Sequence, residues 1–230
     1  MDSLWSSLVQ WLHAVGWAPS SAVHVSDKLD LPSLLALAAV LGWASGFRLY
    51  AVVFITGLAG VMGWLVLPQG LQLLQHPAML IASGCMLFME FFADKIPGLD
   101  SLWDIVHSVV RIPAGAALAA GALGADSGTM TLVAALLGGS LAATSQAAKT
   151  TTRAAINTSP EPFSNVVASL FEDGLVIAAL WLATTNPLVF GLVLCVVVVL
   201  MWIVTWLLFQ FLKAVFNRVS RFSSGFQKAA

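Results

Sequence analysis

Ionisable residues are scarce in this chain, and those between the polar N-terminal segment and the C-terminal basic run gather mainly into a few groups at helical spacing. Arg48 stands alone. Glu90, Asp94 and Lys95 form a second group; Asp100, Asp104, His107 and Arg111 form a third, at i, i+4, i+7 and i+11. Lys149, Arg153 and Asn157 continue the face begun by Gln146, and Glu172 follows on a stripe with Asn165 and Ser169, with Asp173 next to it in sequence. Residues three, four and seven apart on a helix share a face, so the stripes Asp100–Arg111, Gln146–Asn157 and Asn165–Glu172 each project their polar atoms in one direction. Carboxylates so grouped can bind a proton or a cation. Lys149 and Arg153 can hold an anionic group or neutralise an empty acid site, and His107 can relay protons. The same residues allow a second chemistry: Arg111, Lys149 and Arg153 clamping a phosphate, with Asp104 and His107 as an acid–base pair.

Other chemistries lack a basis. There is no HExxH, no Gly-x-Ser-x-Gly elbow, no P-loop and no dinucleotide fingerprint, so the sequence leans away from an enzyme. Cys85 and Cys195 lie in apolar runs without metal or redox spacing and read as buried structural thiols; neither a metal nor another cofactor is expected. A net charge of −1 without a basic stripe argues against a nucleic-acid partner.

The elements that must position these charges are set by composition. Of 230 residues, 59% are hydrophobic and 9% charged, with a mean hydropathy of +0.92. Such a chain lies mostly in lipid, where backbone groups must be satisfied internally, so spans are helices or a closed barrel. The runs are long and do not alternate, which excludes the barrel pattern. The expected fold is all-α: a polytopic helical membrane protein of about five to seven membrane helices with broken or re-entrant segments.

Three regions are expected. Residues 1–31 read as an amphipathic interfacial helix and linker, with Trp5 and Trp11 at headgroup depth and His13 on the wet face. Its start lacks the basic region of a signal peptide, so it is expected to be retained. Residues 32–212 read as the helical transmembrane domain. From Ser33 to Leu67 a straight helix would exceed about 50 Å against a core of about 30 Å, so the chain must break, and Gly42–Arg48 is the expected place. Further stops are expected at Pro68–Gly70, Pro97–Gly98, Ala125–Gly128, Ser159–Pro162 and Thr184–Pro187. Residues 213–230 carry Lys213, Arg218, Arg221 and Lys228 without an acid, a basic tail that the positive-inside rule places in the cytoplasm.

A faint internal echo pairs Leu37–Arg48 with Leu132–Lys149, and Phe88–Glu90 with Leu170–Glu172, which allows an inverted repeat. The strings Glu90–Asp100 (EFFADKIPGLD), Arg111–Gly115 (RIPAG), Lys149–Arg153 (KTTTR) and Phe171–Gly174 (FEDG) resemble the bacterial membrane-protein family called domain of unknown function 4126, over about residues 34–185. The resemblance implies a multi-span membrane protein and carries no activity or catalytic residue.

The leading expectation is a small transporter or channel in the bacterial inner membrane, its polar path lined by these charged groups and open to an ion or small solute. A membrane enzyme acting on a lipid-linked or phosphate-bearing headgroup is the alternative. A third reading is an assembly or scaffold protein whose charges fix helix register. The partners expected are the bilayer and that ion or solute, with room for a homo-oligomer.

Overall fold

In a computed structural model, residues 6, 7, 10, 30–96, 98–123, 128–158 and 162–227 are described, the side chains of residue 162 and of 219–227 aside. The expected interfacial helix with Trp5, Trp11 and His13 lies outside the described residues. From Leu31 onward the regular elements among the described residues are all helices: α1 (Leu31–Val61), a 3₁₀ helix (Gln69–Gln75), α2 (Pro77–Ala93), α3 (Leu99–Leu123), α4 (Gly128–Ile156), α5 (Pro162–Thr185) and α6 (Pro187–Gln227). Five helices are long and apolar enough to cross a membrane, and a sixth span arises if the 3₁₀ helix and α2, bent by 68°, count as one. The expected number of five to seven and the expected broken segment both hold.

The exposed surface is that of a protein solvated by lipid. On α3, Leu102, Ile105, Val106 and Val109 point outward while Asp100, Asp104 and Arg111 point in. Cys85 and Cys195 are exposed on such outward faces, which corrects the buried reading: in a bilayer an apolar run marks the outside of the bundle as readily as its centre.

α1 is the central element. Asp30 caps its start, accepting from Ser33 N, and Pro32 sits in the first turn. Nearly every residue from Ala36 to Val52 is buried. One residue inside it leaves the helical region: Arg48, at φ −143° and ψ 69°. The contacts on either side of that residue show how far the axis turns. Gly42 meets Gly115 of α3, and Gly70 of the 3₁₀ helix meets Gly121, further along α3, while Gly57 meets Leu74 of the same 3₁₀ helix. α4 runs alongside the first half of α1 in the same direction, Gly42 against Gly138 and Gly46 against Ala142, and antiparallel to α3, Gly138 against Ala119 and Gln146 against Arg111, so α3 runs antiparallel to that first half. Were α1 straight, Gly57 would lie roughly 30 Å along the axis from Gly121, and a four-residue 3₁₀ segment of about 8 Å could not join them. The second half therefore turns back beside α3, and Arg48 sits at the tip of the reversal. The break falls within the expected Gly42–Arg48 stretch, at its charged last residue, and the helix ends at Val61, before Leu67.

Small residues let α1, α3 and α4 approach at backbone distance. A Cβ on Gly42 would stand 2.6 Å from Gly138 Cα, and one on Gly115 would meet Ser45 Oγ and Ala142 Cβ. Without a hydrophobic force between helices in lipid, such close van der Waals packing carries the association. Ser145 Oγ adds a cross-helix bond, donating to Trp43 O at 2.6 Å. α3 continues through Pro113 without a stop. The α2–α3 connection turns at Gly98, whose φ of +86° suits a residue without a Cβ. α6 runs as helix from Pro187 to Gln227, through the basic segment that begins at Lys213.

Candidate functional site

The helix ends nearest the tip of α1 bring the charged groups into one body. α2 delivers Glu90 and, at its C-cap, Asp94; α3 delivers Asp104 and Arg111 from one face; α4 delivers Gln146, Lys149 and Arg153; α5 delivers Asn165, Ser169 and Glu172, with Asp173 beside them. Arg48, Glu90, Asp94, Asp104, Arg111 and Arg153 have no exposed surface, and Lys149 has 1%. Headgroup-zone charges facing water would not be sealed in this way.

Arg48 reaches two helices through three groups. Its Nη1 lies 2.6 Å from Asp94 Oδ2 on α2, its Nε 2.9 Å from Asp173 Oδ1 on α5, and its Nη2 donates to Ser169 Oγ, also on α5, at 2.7 Å. Lys149 is the hub: Nζ is 3.2 Å from Asp94 Oδ2, 3.1 Å from Asp104 Oδ1 and 3.5 Å from Glu172 Oε2, and it donates to Phe47 O at 3.0 Å. That carbonyl is the one preceding the break. A broken helix frees backbone acceptors for a polar site, and here the site uses one. Arg153 joins Glu172 (3.1 Å) to Asn165, donating to its O at 3.0 Å. Arg111 forks between Glu90 (2.5 Å) and Asp104 (2.7 Å) and donates to Gln146 Oε1 at 2.9 Å.

Not every expected residue joins. Asp100 is buried but stands apart, accepting from Gly98 N (2.8 Å), Ser101 N (2.6 Å) and Asn157 Nδ2 (3.0 Å); through Asn157 and Asn165 it touches the edge of the network. Lys95 lies outside: its ammonium sits 2.7 Å from the centroid of the Phe91 ring and donates to Phe91 O. His107 also lies outside. Its ring stacks on Trp103 at 4.0 Å, and its Nδ1 lies 2.9 Å from Trp103 O, away from the carboxylates. The periodicity that put His107 on the stripe of Asp104 and Arg111 is right to within a third of a turn, enough to miss the core. Three partners were absent from the expected site although their stripes were legible: Gln146, Asn165 and Ser169, all buried and all bonded to its cations.

The network is dense and still incompletely satisfied. Glu90 Oε2, Asp94 Oδ1 and Asp104 Oδ2 are buried and accept no hydrogen bond from the described residues, and the Nε atoms of Arg111 and Arg153 donate none. Among the described residues no three His, Cys, Asp or Glu side chains converge to hold a metal ion.

No curated protein and no solved structure matches this chain. A family model, the domain of unknown function DUF4126, matches residues 35–207, which hold α1 from its first turns, all of α2 to α5, the first half of α6 and every residue of the network. Over that stretch, about three quarters of its length, the chain belongs to the domain of unknown function 4126 family.

Proposed function

We propose that the protein is a small membrane transporter or channel in its closed state, with the network around Arg48 and Lys149 as the occluded midpoint of its path. The observation that supports this reading is the set of buried carboxylate oxygens without a donor among the described residues, on Glu90, Asp94 and Asp104, beside a helix that reverses at its charged residue. A network kept only for stability is a poor solution. Buried ion pairs seldom outperform apolar packing, and each orphaned acceptor costs about 1–3 kcal/mol. Intramembrane charges at a broken helix are, by contrast, the usual construction of an ion or solute site.

In this reading the cations hold the carboxylates while the path is shut. Lys149 already touches three acids, so a small shift of α4 relative to α2 or α5 exchanges one partner for another without leaving a charge bare. Asp173 is the member nearest the surroundings, with 26% of its side chain exposed, and is the natural first group to bind or release a cation or proton. The basic end of α6 supports a cytoplasmic C-terminal side in a bacterial inner membrane.

The test is accessibility from both sides of oriented vesicles. In a background with Cys85 and Cys195 replaced by alanine, Ser169→Cys, within the network at the group that accepts from Arg48, and Ala51→Cys, beside it, place a thiol there without removing a charge. A path with alternating access labels with a membrane-impermeant thiol reagent from one face, then from the other when the ion gradient is reversed. If neither position labels from either face under any gradient, the network is a sealed strut and the transport reading is wrong.

A further inference from the structure

Resting on that reading, the structure points to the class of substrate. A groove of ≈ 370 Å³ opens on the outer face of the bundle where the second half of α1, α2 and α5 meet. Ala51 and Ile55 form one wall, Phe88 and Phe91 another, Ile177 a third, and Asp173 is the ionisable member of the lining. Gly84 lies in it as well; a Cβ there would meet the Phe54 ring at 3.2 Å. Phe88 and Ile177 are more than half exposed, so the groove faces the hydrocarbon and not a sealed interior.

Two observations fix the charge of its occupant. First, the ion pairs set Arg48, Arg111, Lys149 and Arg153 against Glu90, Asp94, Asp104, Glu172 and Asp173, one carboxylate more than cations, while Lys95, the remaining cation at this end, is held on Phe91 and joins none of these pairs. Second, one ring of the groove's aromatic wall already takes an ammonium: Lys95 Nζ lies over Phe91, although Lys95 itself does not line the groove. An aromatic face and a carboxylate in a dry setting are what a weakly hydrated organic cation requires. A small inorganic ion would gain nothing from the apolar walls, and an anion would meet Asp173.

We propose that this groove binds an amphipathic organic cation, of the quaternary ammonium or phosphonium kind, its charge against Asp173 and Phe91 and its apolar body along Phe88, Ile55 and Ile177. Reached laterally from the bilayer, the site joins directly to Arg48 through Asp173. A cation bound there competes with Arg48 for that carboxylate and loosens the tip of α1.

The test is equilibrium dialysis of radiolabelled tetraphenylphosphonium against the full chain in detergent, with tetraphenylborate as the anion of the same shape. Saturable binding of one cation per chain is expected, with no saturable binding of the borate. Asp173→Asn weakens the cation about tenfold, the loss of one desolvated charge pair, and Asp173→Glu restores most of it. Gly84→Leu fills the groove and abolishes binding, whereas Lys95→Met removes a competing cation from the Phe91 ring and tightens binding by roughly threefold. Equal binding by wild type and Asp173→Asn, or saturable binding of the borate, reduces the groove to an apolar crevice and overturns the proposal. The two readings fail separately. Alternating labelling of Ser169→Cys without saturable phosphonium binding leaves a transporter of something else; saturable binding with a sealed Ser169→Cys leaves a cation-binding protein that does not transport.

Discussion

Arg48, at the reversal of α1, and Asp94, at the C-cap of α2, are 2.6 Å apart and have no exposed surface. They tie the tip of a folded-back helix to the end of the helix that returns beside it. Asp94 Oδ2 also receives Lys149 at 3.2 Å and Arg153 at 3.7 Å, so one carboxylate oxygen faces three cations.

That convergence makes Asp94 the most costly charge to remove. In Asp94→Asn three buried cations face a neutral amide, and the loss is about 3–5 kcal/mol, the scale for breaking a buried pair from one side. Asp173→Asn, at a partly exposed carboxylate, costs far less. Arg48→Gln combined with Asp94→Asn costs less than the sum of the single changes because the two share one interaction. Thermal unfolding in detergent, followed by tryptophan fluorescence, ranks the variants. Equal, small shifts for Asp94→Asn and Asp173→Asn would contradict the convergence.

The contact of α1 with α4 predicts a sharp contrast between two glycines. A methyl on Gly42 would lie 2.6 Å from Gly138 Cα and 3.1 Å from its carbonyl carbon, both backbone atoms that cannot swing aside. Gly42→Ala therefore costs about 1–3 kcal/mol through overpacking. Gly174, mid-helix in α5 with nothing within 4 Å of a built Cβ, behaves oppositely, and Gly174→Ala gains about 0.5–1 kcal/mol from helix propensity. The same unfolding measurement decides; a destabilised Gly174→Ala would show a neighbour at that face.

Which helices exist, and which face of each is polar, could be read from Asp100, Asp104 and Arg111 at their spacing and from the stops at Gly98 and Asn186–Pro187. Periodicity supplies a direction for every side chain. It does not supply depth, and that is why the charges could equally have been placed in the headgroup zone, and why His107 was grouped with Arg111 although it turns to Trp103. The reversal at Arg48 was legible as a break because the run was too long for one span, but its sharpness rests on contacts between Gly57, Leu74, Gly70 and Gly121 that no local signal encodes. Lys95 shows a related gap: adjacency to Asp94 in sequence says nothing of which side of a helix end a flexible chain takes, and its ammonium lies over the Phe91 ring instead of among the ion pairs.

The cysteines test the outward-facing surfaces. Cys85 on α2 and Cys195 on α6 are exposed on apolar helices, so enlarging either to leucine adds a side chain to lipid rather than to a packed core. Cys85→Leu and Cys195→Leu are expected to shift stability by less than about 0.5 kcal/mol, the usual range for surface changes. Packing in the interior would instead make each cost about 1–3 kcal/mol. A marked loss in either variant would place a protein partner on that face.

Asp100 offers a test of the edge of the network that needs no transport assay. Its carboxylate takes two backbone donors and both of its oxygens lie 3.0 Å from Asn157 Nδ2, whose own Oδ1 accepts from Asn165 Nδ2 at 2.8 Å. Asn157→Ala removes one link and costs about 1–3 kcal/mol. Asn157→Asp is worse, since it sets two carboxylates against each other in a partly buried site. Exchanging the pair, Asp100→Asn with Asn157→Asp, returns a donor to the contact: the new amide on α3 would still accept from Gly98 N and Ser101 N through its oxygen, and the new carboxylate at the end of α4 would accept from that amide and from Asn165. The exchanged protein should recover most of the unfolding midpoint lost by Asn157→Asp alone. If it does not, the link from α3 to α4 at this end depends on something other than the Asp100–Asn157 hydrogen bonds.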